Sequence, residues 1–470
     1  MNTLLWFQRD LRVDDNPALN WALQQQQPVI AVYIHSQKED TPWAIGAASR
    51  WWLHQSLTKL AAALLPYNIE LQFINASSVA SISQLATDYE IDKVVWTSRV
   101  EPQRRICETT IENNLLNQGI TVKRFKDELL QHPDAFLTAS KDTPYRVFTP
   151  FYKKLRAELQ LQNHQRSNTA YKHDSLRLAE KLTESVSLEQ LELLDAHHWQ
   201  HKLQQHCSPG AESAYKKLET FINEALPDYV TKRDFPAISA TSTLSAHLHF
   251  GEISPRQIVD ALAPLIEFEG GNAATAAEAF LRQLIWREFA RYILWHFPAT
   301  AVEPMNPKFN TAFWKKDDSS LKLWQRGQTG IAIVDAGMRE LWQTGIMHNR
   351  VRMLAASLLT KNMGIAWQQG AAWFWDTLVD ADLANNSMGW QWVAGCGVDA
   401  APYFRVFNPD TQALKFDKQR TYINHWLNTL KTEALPVIDL ASSRNDALYR
   451  YNQLIKKNNS VLPQEKKQCP

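Results

Sequence analysis

The run of thirteen residues from Asp380 to Trp392 concentrates side chains that do chemistry. It reads DADLANNSMGWQW and holds two acids, two adjacent asparagines and two tryptophans. The carboxylates of Asp380 and Asp382 cannot both face an apolar core without cations or hydrogen-bond donors beside them. Arg287 and Arg352 are cations available in the same half of the chain, and a polar cofactor would also supply donors. We therefore expect this run to line a polar site.

Two further runs place polar and aromatic groups on one face of a helix. In RQLIWREFARY, Gln283 precedes Trp286 by three residues and Arg287 by four, so Gln283 shares a face with both. In MHNRVRM, Asn349 and Met353 are four residues apart and also share a face. Spacing of this kind is also typical of core packing, so these runs are informative only together with the first.

Composition narrows the class of protein. A chain of 470 residues with 45% hydrophobic and 21% charged residues predicts a soluble, globular protein of two domains. No apolar run approaches the roughly 20 residues of a membrane span, and charge comes too early for a secretory signal. The four cysteines are scattered without a CxxC pair, which argues against a disulfide framework or a metal cluster. We expect a cytoplasmic monomer without a metal.

Charge and tryptophan content bear on partners and redox chemistry. The net charge of +1 gives no global sign of nucleic-acid binding and leaves only a local basic patch as a candidate. The 18 tryptophans are unusually many for this length. Most are expected in the core, and the placement of the others decides whether they carry electrons or stack on a ligand.

The elements that must position these side chains change character along the chain. The first part alternates β-rich runs with helical segments, which predicts βαβ units and a parallel, Rossmann-like sheet. The predicted strands are residues 3–8, 28–35, 69–74 and 93–98, and the predicted helices are residues 49–65 and 101–116. No GxGxxG motif follows the first strand and no P-loop motif occurs, so this sheet is not expected to hold a dinucleotide in the Rossmann manner.

The second part of the chain is predicted to be helical almost throughout. Segments such as AESAYKKLETFINEAL and GIAIVDAGMRELWQTG have helical apolar spacing, and strand-like alternation is absent beyond residue 210. We predict an α/β domain over residues 1–130, an irregular surface connector over 131–205 and an all-helical domain over 206–470.

Seven motifs in chain order then point to a family. They are WFQRDLR, RDFPA with a downstream TSTLS, GEISPR, IWREF, MHNRVRM, DADLANNSMGWQWVAG and DAAPYFRVFNP. Through them the chain resembles the photolyase/cryptochrome family over almost its whole length, and in particular bacterial class I or class III photolyases for cyclobutane pyrimidine dimers. The resemblance implies an α/β antenna domain and a helical domain that binds FAD in a U shape beneath a DNA-facing cavity.

The resemblance also implies which residues hold FAD. The TSTLS segment would bind the phosphates, Arg352 would pair with Asp380 beside the flavin ring, and Asn386 would face flavin N5. Photolyases similar to this chain carry Asn at that last position, plant cryptochromes Asp and insect cryptochromes Cys, so Asn386 favours an enzyme that uses fully reduced FAD. The complete implied set is Tyr229, Thr241, Ser242, Thr243, Leu244, Ser245, Phe280, Arg352, Asp380, Ala381, Asp382 and Asn386.

Three tryptophans match the family's electron-transfer chain from the surface to the flavin. They are Trp390, Trp367 and Trp314, each at the family's relative spacing. Closely spaced indoles would replace one long electron transfer by several short ones. Trp373 and Trp375 are candidates for a side branch.

Five residues match the family's lesion pocket. Trp286 and Trp392 would flank a flipped-out dimer, since base stacking on an aromatic side chain is worth roughly 1 to 3 kcal/mol. Asn349 and Met353 match enzymes for cyclobutane dimers, whereas (6-4) photolyases carry His at the position of Asn349. Gln283 departs from the pattern, because dimer-repairing relatives usually carry Glu there and (6-4) enzymes often carry Gln.

Further polar residues match positions that contact DNA in relatives: Arg233, Arg287, Arg350 and Gln412, together with Gln283, Trp286 and Asn349. The resulting hypothesis is light-driven repair of cyclobutane pyrimidine dimers in UV-damaged DNA by electron transfer from excited, reduced FAD. A cryptochrome-type blue-light receptor and a (6-4) photolyase are the alternatives.

The antenna chromophore is the least determined feature. We expect 5,10-methenyltetrahydrofolate, which is common in related bacterial enzymes. Ala301 and Val302 replace a Cys-Lys pair that some folate-binding members use, while residues 46–57 resemble a helix of plant-cryptochrome-like members. Folate at a different site, a deazaflavin and no antenna all remain open.

Overall fold

The computed structural model describes most of the chain. It covers residues 1–36, 38–126, 129–138, 142–159, 177–194, 199–309, 313–400, 404–427 and 435–459, without the side chains of residues 268, 269 and 455–459. The polar stretch at 163–175 and Cys469 lie outside these residues. Within them, no helix is long and apolar enough to cross a membrane, and no group of three acidic, histidine or cysteine side chains could hold a metal ion.

A five-stranded parallel sheet forms the centre of the N-terminal part, in the order β3-β2-β1-β4-β5. The strands are β1 Asn2–Phe7, β2 Val29–His35, β3 Leu71–Asn75, β4 Ile91–Thr97 and β5 Thr121–Phe125. The four predicted strands are confirmed to within two residues at each end. The fifth was not predicted because its sequence, TVKRF, belongs to a half-exposed edge strand and carries two cations.

Helices cover both faces of the sheet. They are α1 Pro17–Gln24, α2 Ala47–Leu64, α3 Ser78–Asp88 and α4 Pro102–Asn117. Alternate residues of β1 point to opposite faces, so Leu5 and Phe7 pack with α1 and α2, whereas Leu4 and Trp6 pack with α3 and α4. The expected α/β domain with a parallel sheet is therefore confirmed.

The remainder of the described chain contains helices and irregular segments, and beyond residue 210 it is helical, as predicted. Its helices are α5 Phe148–Glu158, α6 Ala211–Thr220, α7 Tyr229–Lys232, α8 Ser245–Phe250, α9 Pro255–Pro264, α10 Gly271–His296, α11 Asp318–Gln325, α12 Ala332–Thr344, α13 Asn349–Ser357, α14 Trp367–Thr377, α15 Leu383–Ala394, α16 Pro409–Phe416, α17 Thr421–Leu427 and α18 Leu440–Asn459. No strand is present beyond residue 210 in the described ranges.

The predicted irregular connector contains a regular helix, which corrects that part of the prediction. In α5, Phe148, Phe151 and Leu155 lie three and four residues apart and are all buried in the core of the helical part. The surrounding polar residues masked this short apolar face in the sequence. The boundaries at 130 and 205 stay predictions.

A buried carboxylate fastens the two halves together. Glu252 is fully buried and accepts hydrogen bonds from Trp52 Nε1 (3.1 Å) and Ser56 of α2 and from the backbone N–H of Gly210 (2.7 Å), and it lies 2.5 Å from His247 Nδ1. The preceding Gly251 has φ +66°, and a Cβ there would lie 1.8 Å from the carbonyl oxygen of Arg9. Only glycine permits this close approach of the two segments of the chain.

Candidate active site

Helix α15 lies at the centre of the candidate site, because it packs against α10, α13 and α14. These four helices carry half of the predicted site residues, and α7 also packs against α10. Site residues that are neighbours on one helix are therefore also close to site residues of the other helices. The structure thus brings together the three runs that the sequence distinguished.

Asp382 is the N-cap residue of α15 and is held by the protein through both carboxylate oxygens. Its Oδ1 accepts the backbone N–H of Asn385 (2.9 Å), and its Oδ2 accepts from Arg291 Nη2 (2.7 Å) and lies 3.5 Å from His249 Nδ1. Burial raises the pKa of Asp382, but Arg291 and His249 outweigh burial and hold the pKa well below its usual value. Asp382 is therefore a charged structural anchor of the helix.

Asp380 has a different environment. Its Oδ2 accepts from Arg352 Nη2 (3.0 Å), which is the predicted pair, and Arg352 Nε donates to the carbonyl of Met347 (2.7 Å). Asp380 Oδ1 is buried without a hydrogen-bond donor among the described residues. Ala381, between the two acids, is buried. Asp380 is thus the acid with an acceptor left for a ligand.

The loop at 241–245 has the geometry of an anion cradle. Thr243 adopts a left-handed conformation (φ +52°), and Leu244 follows in the right-handed region (φ −89°, ψ −2°) immediately before α8. Ser242 Oγ accepts the N–H of Leu244 at 3.4 Å. Successive residues of opposite hand turn their N–H groups towards one point, as in backbone nests that bind phosphates. The side chains of Thr241 and Ser245 are exposed.

The remaining predicted cofactor residues line the interior. Tyr229 and Phe280 are buried and meet edge to face, with ring centroids 5.6 Å apart. Asn386 Nδ2 donates to the carbonyl of Ala371 (3.0 Å), so its carbonyl oxygen is the group left for another partner. One turn further along α15, a Cβ on Gly389 would meet no atom within 4 Å. Open space therefore follows this face of α15.

The three predicted electron carriers run from the interior outwards. Trp390 and Trp367 are buried, and Trp314 is half-buried. The ring of Trp390 lies against Gly370, which is one turn after Trp367 on α14. The chain beside Trp314 pairs with the segment before α14, since Lys315 donates its N–H to the carbonyl of Gly364 (2.7 Å). The role of the three tryptophans as electron carriers stays a prediction.

A stack of three further indoles was not predicted as a unit. Trp373 lies parallel to Trp342 at 5.9 Å and 10°, and Trp342 lies parallel to Trp199 at 5.0 Å and 8°. Trp342 is exposed. The high tryptophan count was the only sequence signal, because the three residues come from separate segments. Trp375 instead contacts Trp43, with centroids 5.5 Å apart.

The predicted lesion residues are placed on α10, α13 and α15. Asn349 is exposed and its Nδ2 contacts Met353 Sδ at 3.8 Å, as expected from their spacing. Trp392 donates its Nε1–H to the carbonyl of Asp399 (3.2 Å). Trp286 is half-buried. Gln283 Nε2 donates to Ala279 of its own helix (3.3 Å), which leaves the amide oxygen for a ligand.

The predicted DNA-contacting residues separate into two environments. Arg350 and Gln412 line one cavity of about 570 Å³, together with Arg405 and Lys415, so three cations face it. Arg233 lies beside this group, and its carbonyl contacts His348. Arg287 does not join them: it is largely buried and donates to Glu288 Oε1 at 2.7 Å. Its predicted contact with DNA stays a prediction.

Comparisons with known proteins agree with this geometry. A family profile described as DNA photolyase matches residues 3–228, and one described as the FAD binding domain of DNA photolyase matches residues 280–453. The second match contains α15 and its three neighbouring helices apart from the first residues of α10.

Individual relatives cover nearly the whole chain. The deoxyribodipyrimidine photo-lyase of Agrobacterium fabrum is 37% identical over 95% of this chain and 97% of its own length. Cryptochrome-2 of Arabidopsis thaliana is 33% identical over 91% of this chain and 70% of its own. The crystal structure of a bacterial class III photolyase from Agrobacterium tumefaciens superposes with a TM-score of 0.87 at 36% identity, covering 97% of this chain and 98% of that one. The chain therefore belongs to the photolyase/cryptochrome family.

Proposed function

We propose that the chain is a deoxyribodipyrimidine photolyase that repairs cyclobutane pyrimidine dimers in UV-damaged DNA with light. One observation favours this lesion over the (6-4) photoproduct. His348 precedes the lesion position and is turned away from it: its Nδ1 accepts the N–H of Arg350 (3.2 Å), and its Nε2 donates to the carbonyl of Arg233 (3.0 Å). Burial lowers the pKa of His348, which favours the neutral ring. Asn349 is left as the exposed polar group.

The residues present fit FAD as the cofactor. Asp380 offers a buried acceptor without a protein donor, the loop at 241–245 offers converging N–H groups, and open space lies beside Gly389. These features match a flavin edge with N–H donors, a pyrophosphate and a bulky ring. Held by these residues, fully reduced FAD would supply light-driven electron transfer to the dimer.

The protein's own residues position both partners of this reaction. Asn386 is fixed by its bond to Ala371 and presents a carbonyl oxygen, which accepts from an N–H but releases no proton. Trp286 and Trp392 offer aromatic surfaces for the flipped-out bases, a step that photolyases share with other base-flipping enzymes. The amides of Gln283 and Asn349 supply hydrogen bonds to the lesion.

The DNA backbone is proposed to bind over the cavity formed by Arg350, Arg405, Lys415 and Gln412. Arg350 is oriented by an ion pair with Asp234 (2.7 Å) and lies over the ring of Phe416 (4.4 Å). Cations that contact phosphates release counterions, so affinity should fall steeply with salt. This local patch supplies the basic surface that a net charge of +1 conceals.

For the antenna, the proposal stays with 5,10-methenyltetrahydrofolate. Trp51 and Trp52 of α2 lie in the segment that resembles plant-cryptochrome-like members; both are buried, and Trp52 donates to Glu252. These two indoles are therefore core residues. A cryptochrome-type receptor is the second candidate function, because Cryptochrome-2 matches most of this chain.

A repair assay distinguishes the candidate functions. We expect reduced holoprotein under blue light to restore thymine absorbance in DNA that contains a cyclobutane dimer, and to leave DNA that contains a (6-4) photoproduct unchanged. The same samples kept dark are the control. Repair of only the (6-4) lesion, or no light-dependent repair of either lesion, would contradict the proposal.

Gln283→Glu is expected to raise the efficiency of dimer repair by about fivefold, since a charged acceptor strengthens one hydrogen bond by roughly 1 kcal/mol. The measurement is the repair rate at limiting DNA concentration. Asn349→Asp makes the same amide-to-acid change on α13 and is the matched variant; it is expected to lower efficiency, because it removes the exposed amide N–H that Asn349 offers to the lesion. An unchanged rate in Gln283→Glu would show that this position has little influence on repair.

Asp380→Asn is expected to weaken FAD binding by about ten- to a hundredfold, because a hydrogen bond to a charged group contributes roughly 1.5 to 3 kcal/mol. FAD retained after dialysis, followed by flavin absorbance, measures the effect. Asp318→Asn, an exposed acid at the start of α11, is the control. Equal FAD retention in both variants would exclude Asp380 as a cofactor contact.

The two tryptophan routes predict partial redundancy. Gly370, against which Trp390 lies, is three residues from both Trp367 and Trp373, so α14 connects Trp390 to both routes. We expect Trp367→Phe and Trp373→Phe each to slow photoreduction of oxidised flavin, and the double variant to abolish it. Trp324→Phe is the control, since Trp324 also contacts Trp390 (6.0 Å) but is fully buried. A full rate in the double variant would refute both routes.

A further inference from the structure

The aromatic side chain of Phe148 lies directly behind a predicted lesion-stacking residue. Its ring is parallel to that of Trp286, at 8° and with 3.4 Å between centroids. Phe148 is the first residue of α5, and its side chain is 1% exposed. It comes from the segment that joins the two domains, more than a hundred residues before Trp286. No local sequence pattern indicates this contact.

Other side chains complete the support on the same side of Trp286. Phe289 meets Trp286 edge to face (5.9 Å, 73°) and also contacts Phe148 (5.7 Å). The guanidinium of Arg282, one turn before Trp286 on α10, lies 5.0 Å from the centroid of Phe148. Among the described residues, these two phenylalanines are the rings that contact Trp286. The indole is therefore backed on one face and half-exposed overall.

Helix α5 is itself held against α10. Arg156, two turns after Phe148, forms a two-pronged ion pair with Glu278 of α10, with Nε at 2.9 and 3.2 Å from the two carboxylate oxygens. Lys154 donates to the carbonyl of Leu137 (2.9 Å). Phe151 packs on Phe289 at 5.1 Å. The contacts of the Phe148 ring and the contacts of helix α5 therefore both hold Phe148 in place.

We propose that Phe148 is a positioning residue for lesion binding, which acts by holding the indole of Trp286 in the orientation that stacks on the flipped-out dimer. This inference rests on the proposed repair function. An indole already fixed before binding loses less conformational entropy when a base stacks on it. A backed indole also cannot fold across the cavity and fill the place of the lesion.

Affinity for dimer DNA in the dark tests the proposal. Loss of an aromatic pair corresponds to about a two- to tenfold change in affinity. Phe148→Leu keeps an apolar side chain but removes the ring, so we expect weaker binding of dimer DNA by that factor. Binding of undamaged DNA, FAD absorbance and flavin photoreduction should stay at wild-type values. Phe148→Tyr keeps the ring and should therefore bind dimer DNA with the affinity of the wild type.

A matched control and a double-mutant cycle separate positioning from general stability. Phe136→Leu removes a ring that is equally buried in the same cluster but does not contact Trp286, and it should leave affinity unchanged. In a Trp286→Ala background, Phe148→Leu should have no additional effect, because its action passes through the indole.

Three outcomes would overturn the proposal. The first is equal affinity for dimer DNA in Phe148→Leu and the wild type, and the second is an undiminished effect of Phe148→Leu in the Trp286→Ala background. The third is a wild-type protein that does not distinguish dimer DNA from undamaged DNA, which would remove the proposed repair function as well. The wild-type arm thus shows which of the two ideas has failed.

Discussion

The buried ion pair between Arg291 and Asp382 determines how the helices around the site can be arranged. Arg291 comes from α10 and Asp382 from the start of α15, and His249 of α8 lies 3.5 Å from the same carboxylate oxygen. Burial lowers the pKa of His249 to about 4, so the ring is neutral near pH 7. A charge buried without its partner costs several kcal/mol, so these helices must meet in one arrangement.

The network of charged side chains around Asp382 continues into the α/β domain through Glu101 and Arg99. Burial raises the pKa of Glu101, which precedes α4, but Arg99 and Arg291 outweigh it and lower the pKa to about 2. Arg99 donates to Glu101 at 3.0 Å. Cations and anions from both domains thus neutralise one another inside the molecule. Asp382 belongs to this internal network, whereas Asp380 pairs with Arg352 and keeps a buried acceptor without a donor among the described residues.

Helices and strands were predicted well from the sequence, because hydrophobic periodicity is a local property. Four strands, the parallel sheet and the helical half followed from it, and the contacts of Asn349 with Met353 and of Arg352 with Asp380 agree with the predicted pairs. Tertiary contacts lie beyond such patterns. Spacing could not show that Arg287 turns inward to Glu288, nor that Trp199, Trp342 and Trp373 would form one stack.

Helix α5 has a consequence for exchanging N-terminal α/β domains between members of this family. Although it lies in the predicted connector, its phenylalanines belong to the core of the helical part, and Arg156 binds that part through Glu278. A chimera joined after Glu158 would bring a foreign helix into that core. A junction placed before Phe148 would transfer the sheet and its covering helices but keep the native helix beside α10. The part of the chain that can be exchanged as a module therefore ends before Phe148, inside the predicted connector.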